Sequence, residues 1–523
     1  LHPYDKANST DMYYVNLCNK VLRIIQKSEL VGFFETRDKQ ISLALVLVAY
    51  FEDVISDTNL FAAFTRKHKE LYGKPLPFFN MDEEYYEEDI LLNNILFLTW
   101  YQLALENEEI IPDPQFDDNL SIVFTITDIY NLFDCEFENA PINGHLQECL
   151  QLPENPDVLT VRNKLMFIAQ SSYLWKKHFS LVFKKTLEPY MKNGVVVIND
   201  ENDNVKIYNS QINFVYNECL PLLAMRATEY YAEVLGKEHP EYQFIKNISK
   251  QEFGLFLVKK INSDNYLLEH FPSKTEIVLS KEFSSYEDSR ITENESVMCV
   301  GVVNWKNNIR QMMGGSFLMD KSEAKTGMVG DHIFDDMAQK LEITENMGKA
   351  FLKINHGKKI AYLKGKQEFD DLNCEVRKTY IQIIVPNISD KKLNENLEIF
   401  KKTQNDVSLE EDSPVCVFFN SKSGIEIYND VVCHCISDKK NPFYTGGTFD
   451  LEQLVTEPTL SKEFIDYIIE NKIIKLELDK DNFSPDVFPF LMDSLDFLLR
   501  FYRREKYWSE PTVSIENYTD MFI

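Results

Sequence analysis

The chain has 523 residues, of which 44% are hydrophobic and 13% aromatic, so it can form several packed cores and is not a disordered chain. Its 83 acidic and 55 basic residues give a formal net charge of −28, which disfavours broad electrostatic binding to nucleic acid or anionic lipid. Only 17 glycines are present, and no G-x-G-x-x-G or G-x-x-x-x-G-K-[ST] string occurs, which argues against a dinucleotide-binding or P-loop enzyme.

The cysteines and the longest apolar run indicate the cellular compartment and whether the chain enters a membrane. The nine cysteines are odd in number and include no C-x-x-C pair, so they predict reduced thiols in a cytoplasmic protein. No signal peptide is recognisable at the start, and the longest apolar run, Ile41–Phe51, is too short to cross a bilayer. The sequence therefore predicts a protein that is not held in a membrane.

Residues 1–193 have the pattern of a helical domain. Apolar residues such as Tyr14, Leu17 and Val21 recur at intervals of three and four. Gly194–Tyr208 then predicts a β-hairpin with an acidic loop, and a helix follows it. Residues 194–252 are therefore predicted to connect the helical domain to the next module.

Five short strand-like runs, separated by turn residues, follow within residues 253–319. They predict a small β-barrel-like module. Gly314 and Gly315 would let the last strand bend and close the sheet. The module shows no catalytic pair, since His270 and Cys299 stand alone, and this favours a recognition or scaffolding role.

The remaining chain is predicted as a mixed α/β region at 320–410 and an α+β region at 411–523. Thr379–Pro386 is typical of a buried strand, and Pro414–Val432 predicts a strand, a turn and a second strand. The predicted fold class is α+β and multidomain, with a mostly helical N-terminal half, a central small β-barrel-like module and a mixed α/β C-terminal region.

Four segments resemble a known group of sequences. Tyr50–Ser56 and Ala63–Phe78, and later Phe418–Tyr428 and Asn441–Phe443, are similar to a family of uncharacterised proteins from Bacteroidota. The resemblance implies an intracellular bacterial protein. No activity is established for that family, so the resemblance implies no catalytic residue.

An acidic tract precedes the helix that begins near Ile90. It is either a docking surface for a basic partner or a solvated loop whose last acids favour the start of that helix. The candidate partner-binding residues are Asp82, Glu83, Glu84, Glu87, Glu88 and Asp89.

Two pairs of side chains, each four residues apart, have a spacing that could hold a metal ion. They are Asp53 with Asp57 and His332 with Asp336. A polar helix end explains the first pair, and an acidic first helical turn explains the second. Cys433-His434-Cys435, in a predicted strand, has no second ligand pair at a characteristic spacing. We therefore predict no metal and no cofactor.

Three basic stretches stand out against the acidic background: Lys176–Lys185, Lys358–Lys366 and Arg500–Trp508. Basic residues interleaved with aromatic ones suit single-stranded nucleic acid, although helices also place Lys and Arg near their C-terminal turns. The candidate basic-patch residues are Lys358, Lys359, Lys364, Lys366, Arg500, Arg503 and Arg504.

No G-x-S-x-G, H-E-x-x-H or kinase motif set is present. Together with the acidic composition and the barrel-like module, this favours a protein–protein interaction scaffold or adaptor whose partner is another protein. Two alternatives stay open. One is an enzyme, a hydrolase or a nucleic-acid-processing protein with a dispersed active site, and the other is nucleic-acid binding through the basic-aromatic stretches. The sequence does not indicate an oligomeric state.

Overall fold

The computed structural model describes residues 8–79, 85–106, 120–192, 195–198, 201–271, 274–282, 286–327, 337–403, 409, 411–456, 460–478 and 485–504. The chain divides into two compact units. Unit 1 comprises Leu1–Phe334 and Lys480–Arg504, and unit 2 comprises Asp335–Asp479 and Glu505–Ile523.

Helices build the first part of unit 1, which confirms the predicted helical N-terminal half. They are α1 (Ser9–Ile25), α2 (Leu30–Phe33), α3 (Arg37–Ile55), α4 (Leu60–Tyr72), α5 (Leu92–Ala104), α6 (Leu120–Phe137), α7 (Gly144–Leu150), α8 (Val158–Ser171) and α9 (Lys176–Leu187). Helix α1 buries one stripe, including Tyr14, Leu17 and Val21, as expected for a helix at the edge of a core. Every residue of helix α5 from Asn94 to Ala104 is buried, so this helix lies at the centre of the helical part of unit 1.

The predicted hairpin over Gly194–Tyr208 is wrong for most of its length. A short antiparallel ribbon pairs β1 (Met191–Lys192) with β2 (Val195–Val196), and the acidic stretch that follows opens helix α10 (Glu201–Asn217). Acidic residues are favourable in a first helical turn because they complement the helix dipole. Helices α11 (Ala227–Leu235) and α12 (Tyr242–Lys246) then lead to the barrel.

The predicted β-barrel-like module is a closed five-stranded barrel. Its strands are β3 (Glu252–Ile261), β4 (Asn265–His270), β5 (Glu276–Ser280), β6 (Ser296–Asn304), and β7 (Arg310–Met312) with β8 (Phe317–Asp320) as one interrupted strand. Strand β3 pairs with both β4 and β6, with a bulge near Val258, and β5 pairs in parallel with β7. This strand order, with the third and fifth strands parallel, is that of an OB fold.

The barrel interior is filled by side chains. Phe256, Tyr266, Leu268 and Met298 belong to a buried cluster contributed by β3, β4 and β6. The diameter of a barrel grows with the number of its strands, so five strands enclose a narrow interior, and here buried side chains occupy it. Any binding role of the barrel therefore belongs to its outer face.

The last barrel strand bends at Gly314 and Gly315, as predicted. Both β7 and β8 pair with β6, and the backbone between them departs from the strand, with φ +92° at Gly314. Asn209 Oδ1 of α10 accepts a hydrogen bond from the Gly315 amide at 2.6 Å. A Cβ atom at Gly315 would lie 2.6 Å from Cγ1 of Val205, so glycine is also required for the close approach of α10. Helix α13 (Lys321–Gly327) follows the barrel.

Unit 2 is a mixed α/β unit around a small sheet. Its elements are α14 (Met337–Ile354), β9 (Ile360–Leu363), α15 (Lys366–Ile384), α16 (Asp390–Thr403), β10 (Val415–Asn420), β11 (Gly424–Tyr428), α17 (Asp430–Cys435), β12 (Phe449–Asp450), α18 (Leu451–Thr456), α19 (Lys462–Glu470) and β13 (Leu476–Glu477). The antiparallel sheet has the order β11-β10-β9. Residues Phe351, Val376 and Phe419 join α14, α15 and β10 in one core.

The two-strand prediction within Pro414–Val432 is confirmed by β10 and β11, but two other strand predictions in unit 2 are wrong. The Thr379–Pro386 run forms the end of α15, whose buried residues Phe369, Asn373, Val376 and Tyr380 keep a helical spacing. Cys433-His434-Cys435 ends α17, where Asn429 caps the helix through its side chain.

The last described helices, α20 (Phe488–Asp493) and α21 (Leu495–Tyr502), belong to unit 1. Phe497 of α21 is buried, and its ring centroid lies 6.3 Å from Phe64, 6.2 Å from Phe97 and 6.0 Å from Trp100. A chain segment almost 400 residues downstream thus completes the aromatic core of α4 and α5. Within the described ranges, no helix is both long and apolar enough to cross a membrane.

Candidate functional site

A largely exposed segment between α8 and α10 is the strongest candidate interaction surface. It comprises residues 176–192 and 195–198, and we call it the arm. One side of α9 is fixed to α10, because Phe179 packs on Phe214 with ring centroids 5.0 Å apart and stacks on Phe183 at 5.1 Å. The β1–β2 ribbon follows α9, with Met191 opposite Val196.

The rest of the arm exposes apolar side chains. Leu181 is 38% exposed, Met191 43%, Val195 63% and Ile198 45%. Beside these apolar groups the arm exposes four lysines and one acid, namely Lys176, Lys184, Lys185, Lys192 and Glu188. The arm is therefore apolar and positively charged at once, in a protein whose net charge is −28.

Ion pairs fix the base of the arm. Lys177 Nζ lies 2.6 Å from Glu106 Oε1, and Lys39 Nζ lies 2.9 Å from Glu106 Oε2. Burial works to raise the pKa of Glu106, but the bonds from Lys177 and Lys39 outweigh it and hold that pKa below its usual value. The arm is thus anchored by a carboxylate that stays ionised at neutral pH.

Two of the three basic stretches meet at this base. His178 Nε2 lies 3.3 Å from Glu218 Oε1, and Arg504 Nε lies 3.7 Å from the same oxygen. Burial opposes ionisation of Glu218, yet His178 and Arg504 hold its pKa below the usual value. Sequence reasoning identified both stretches but not their meeting, since α9 and α21 are more than 300 residues apart.

The predicted basic-patch residues of unit 1 make hydrogen bonds and packing contacts that hold α21 in place. Arg500 Nε donates to Asp496 Oδ2 at 3.0 Å and its Nη1 donates to the carbonyl of Leu223 at 3.3 Å. Arg503 is only 5% exposed. Arg500 and Arg503 therefore lie within packing contacts of α21, and the rest of this stretch after Arg504 lies outside the described residues.

The basic-patch residues of unit 2 lie around β9. Lys364 is paired with Asp412 at 3.8 Å, and Lys366 is paired with Asp370 at 3.1 Å. Lys359 is exposed. The neighbouring Lys440 lowers the pKa of Lys358, since two ammonium groups close together disfavour full protonation.

The acidic tract is described only in part, because Asp82, Glu83 and Glu84 lie outside the described residues. Glu87 pairs with Arg66 at 2.8 Å between Oε2 and Nη1. Glu88 and Asp89 are exposed immediately before α5. The described part is thus a surface segment, one acid of which is held by a cation.

Asp53 and Asp57 do not lie on one helix, because α3 ends at Ile55. Asp53 is buried, and its carboxylate accepts hydrogen bonds from the amides of Leu60 at 3.0 Å and Phe61 at 2.8 Å. Asp57 is exposed in the turn, with φ +48°. Asp53 therefore caps α4 from the preceding helix.

Two hydroxyl groups complete the environment of Asp53. Thr58 Oγ1 donates to Oδ1, and Tyr173 Oη donates to Oδ2 at 2.9 Å. Burial raises the pKa of Asp53, and these bonds oppose that rise.

The second predicted metal pair, His332 and Asp336, lies outside the described residues. Within the described part of the chain, no group of three His, Cys, Asp or Glu side chains could hold a metal ion.

The neighbouring carboxylate, Glu52, is buried on the same side of the turn. Asn143 Nδ2 donates to Glu52 Oε1 at 2.8 Å, and the Asn143 amide donates to Ser56 Oγ at 3.0 Å. A cavity of about 20 Å³ beside Glu52 has room for one water molecule. This side of the turn is therefore a structural polar network.

Two buried histidines give unit 1 a predictable response to acid. His68 Nδ1 donates to the carbonyl of Lys74 at 2.6 Å, and burial lowers the pKa of both His68 and His270 to about 4. Unfolded histidine titrates near pH 6.5, so the unfolded state binds more protons below that pH. We expect the free energy of unfolding to fall by about 2 kcal/mol per histidine between pH 7 and pH 5, measured by urea unfolding with tryptophan fluorescence.

The variant His68→Leu is expected to reduce this pH dependence, whereas His145→Leu, at an exposed position, is the matched control. An equal pH dependence in wild type and His68→Leu would contradict the assignment of the effect to His68.

Sequence reasoning noted the basic residues of the arm but missed its apolar ones. The signal was present locally, since apolar residues lie between and after the lysines of 176–198.

Comparison with known proteins places the chain in a family without an assigned activity. No curated protein and no solved structure matches it. The family model described as protein of unknown function (DUF3843) matches residues 1–267, which include the arm and the α3–α4 turn, and the chain belongs to this family.

Proposed function

We propose that the protein works by protein–protein interaction, as a scaffold or adaptor, and that the arm is a docking surface for a protein partner. The observation that carries the proposal is the exposure of Leu181, Met191, Val195 and Ile198 beside exposed lysines. Single exposed apolar side chains are common on monomers, whereas a concentration of them usually marks an interaction site.

The chemistry of the arm indicates the kind of partner. Lys184, Lys185 and Lys192 complement an acidic surface, and the aliphatic side chains complement an apolar one. All four residues of the β1–β2 ribbon are exposed, and a two-stranded ribbon is only marginally stable alone in water. A partner with an acidic, partly apolar surface would cover the ribbon and stabilise it.

Two observations favour a protein over a nucleic acid as the partner. The exposed groups of the arm are aliphatic, whereas single-strand binders stack bases on aromatic rings. The outer face of β4 and β5, the binding face of OB folds, carries Leu267, Glu269, Glu276 and Val278, because the alternate residues face the core. The exposed Glu276 would repel phosphate groups on that face, whereas Glu269 is paired with Lys259 at 3.3 Å and Lys274 at 3.4 Å.

A site-specific photo-crosslinking experiment tests the proposal. A benzophenone amino acid replaces Val195 in the arm and, as the control, Phe124 of α6, which is 66% exposed. Illumination in the source organism is expected to give a protein adduct at position 195 and none at 124. The double variant Lys184→Glu, Lys185→Glu is expected to reduce that adduct about tenfold, because like charges then oppose the acidic partner.

A second charge reversal of equal size controls for nonspecific effects. Lys391 and Lys392 are exposed on α16 of unit 2, and Lys391→Glu, Lys392→Glu is expected to leave the adduct yield unchanged. Equal adducts at positions 195 and 124, an adduct to nucleic acid or lipid, or an adduct that survives reversal at Lys184 and Lys185 would each count against the proposal.

A further inference from the structure

The outward side of the α3–α4 turn forms an open groove of about 430 Å³. The turn after α3, the end of α7 with the residues after it, and the end of α11 with His239 contribute to it, so its residues come together only in the folded unit. Its polar groups include Asp57, Gln147 and Gln151, and its apolar groups include Leu150, Val234 and Leu235. This size lies within the range of small-ligand sites.

Two polar side chains of the groove are already occupied by bonds to the protein. The amide of Glu241 donates to His239 Nδ1 at 3.1 Å, so the proton lies on Nε2, which donates to the carbonyl of Leu152 at 3.0 Å. Asn59 Oδ1 accepts a hydrogen bond from Arg66 Nη1 at 3.0 Å. These side chains form a fixed wall and leave ligand recognition to others.

Among the groups that remain, Asp57 and Gln147 present hydrogen-bond acceptors, while the exposed Gln151 presents both an acceptor and a donor. Gln147 Nε2 donates to the carbonyl of Ser56 at 2.8 Å, so its Oε1 is the atom that this bond does not use. The carboxylate of Asp57 is exposed and receives no hydrogen bond from the described residues. A carboxylate and an amide oxygen above aliphatic side chains complement a cationic donor with an aliphatic body.

We propose that this groove binds a primary alkylammonium ligand. The ammonium group would donate its three N–H bonds to Asp57 and Gln147, and the alkyl chain would pack on Leu150, Val234 and Leu235. The net charge of −28 raises the local concentration of such cations. The ammonium group can come from a free diamine or from the side chain of a lysine in a peptide.

Calorimetric titration with two probes tests this inference and separates the two sources. The probes are 1,5-diaminopentane and N-acetyl-lysine methylamide, with 1-pentanol as the uncharged control. Saturable binding of at least one amine is expected, and Asp57→Asn is expected to weaken it about tenfold by removing the charge. Asp134→Asn, at an exposed position of α6, is the matched control and is expected to bind as wild type does.

Tighter binding of the diamine would identify a free amine as the ligand, and tighter binding of the lysine derivative would identify a peptide. The absence of saturable amine binding by the wild-type chain, equal binding of pentanol, or an Asp57→Asn variant with wild-type affinity would overturn the inference. The amine titration changes and probes no residue of the arm, so its result is independent of the crosslinking experiment.

Discussion

Replacing Asp53 with alanine is expected to lower the free energy of unfolding of unit 1 by about 3–5 kcal/mol. The carboxylate accepts bonds from the Leu60 and Phe61 amides and from the hydroxyl groups of Thr58 and Tyr173. Alanine would leave the two amides buried at the start of α4 without an acceptor, and each such group costs about 1–3 kcal/mol. Urea unfolding followed by the fluorescence of the buried tryptophans measures the loss.

A pair of matched substitutions separates this capping role from a simple loss of charge. Asp53→Asn keeps the size but presents a donor where the carboxylate had an acceptor, so a loss of about 2–3 kcal/mol is expected. Asp57→Asn makes the same chemical change at an exposed turn position and is expected to change stability by less than about 0.5 kcal/mol. Equal stability losses for the two asparagine variants would contradict the capping role.

Replacing Phe497 with alanine is expected to destabilise unit 1 by about 3–5 kcal/mol, the usual cost of truncating a buried phenylalanine. The ring lies among Phe64, Phe78, Phe97 and Trp100, and its removal would leave a cavity in their midst. We expect the fluorescence of Trp100 to report the change as a lower urea midpoint with an unchanged slope.

The control for this truncation is Phe124→Ala, because Phe124 is 66% exposed on α6. Its expected effect is below about 0.5 kcal/mol. A wild-type urea midpoint for Phe497→Ala would mean that α21 does not contribute to the stability of unit 1.

The parts of the fold that the sequence predicts are those specified by local pattern. Strands β4 and β5 alternate buried and more exposed residues, and β3 and β6 are short apolar runs bounded by turn residues, so the module at 253–319 was predictable without knowledge of its neighbours. The strand prediction at Thr379–Pro386 is wrong because a short apolar run fits a strand and a helix equally well. Only its continuation from Phe369 and Val376 shows the helical spacing.

The candidate sites were less predictable because their residues are distant in sequence. Tyr173 bonds to Asp53 across 120 positions, and no local spacing signals such a pair. The groove joins Asp57, Gln147 and His239 from three separate segments. The lysines of the arm are evident in the sequence, but the exposure of Leu181 depends on which side of α9 packs on α10.

The position of Phe497 also constrains the order of events during synthesis. Phe64, Phe97 and Trp100 leave the ribosome about 400 residues before their partner on α21. At typical rates of about 5–20 residues per second, this interval lasts roughly 20–80 s. During that time the nascent chain carries an incomplete aromatic core, and exposed apolar surface of this kind promotes aggregation until α21 is made.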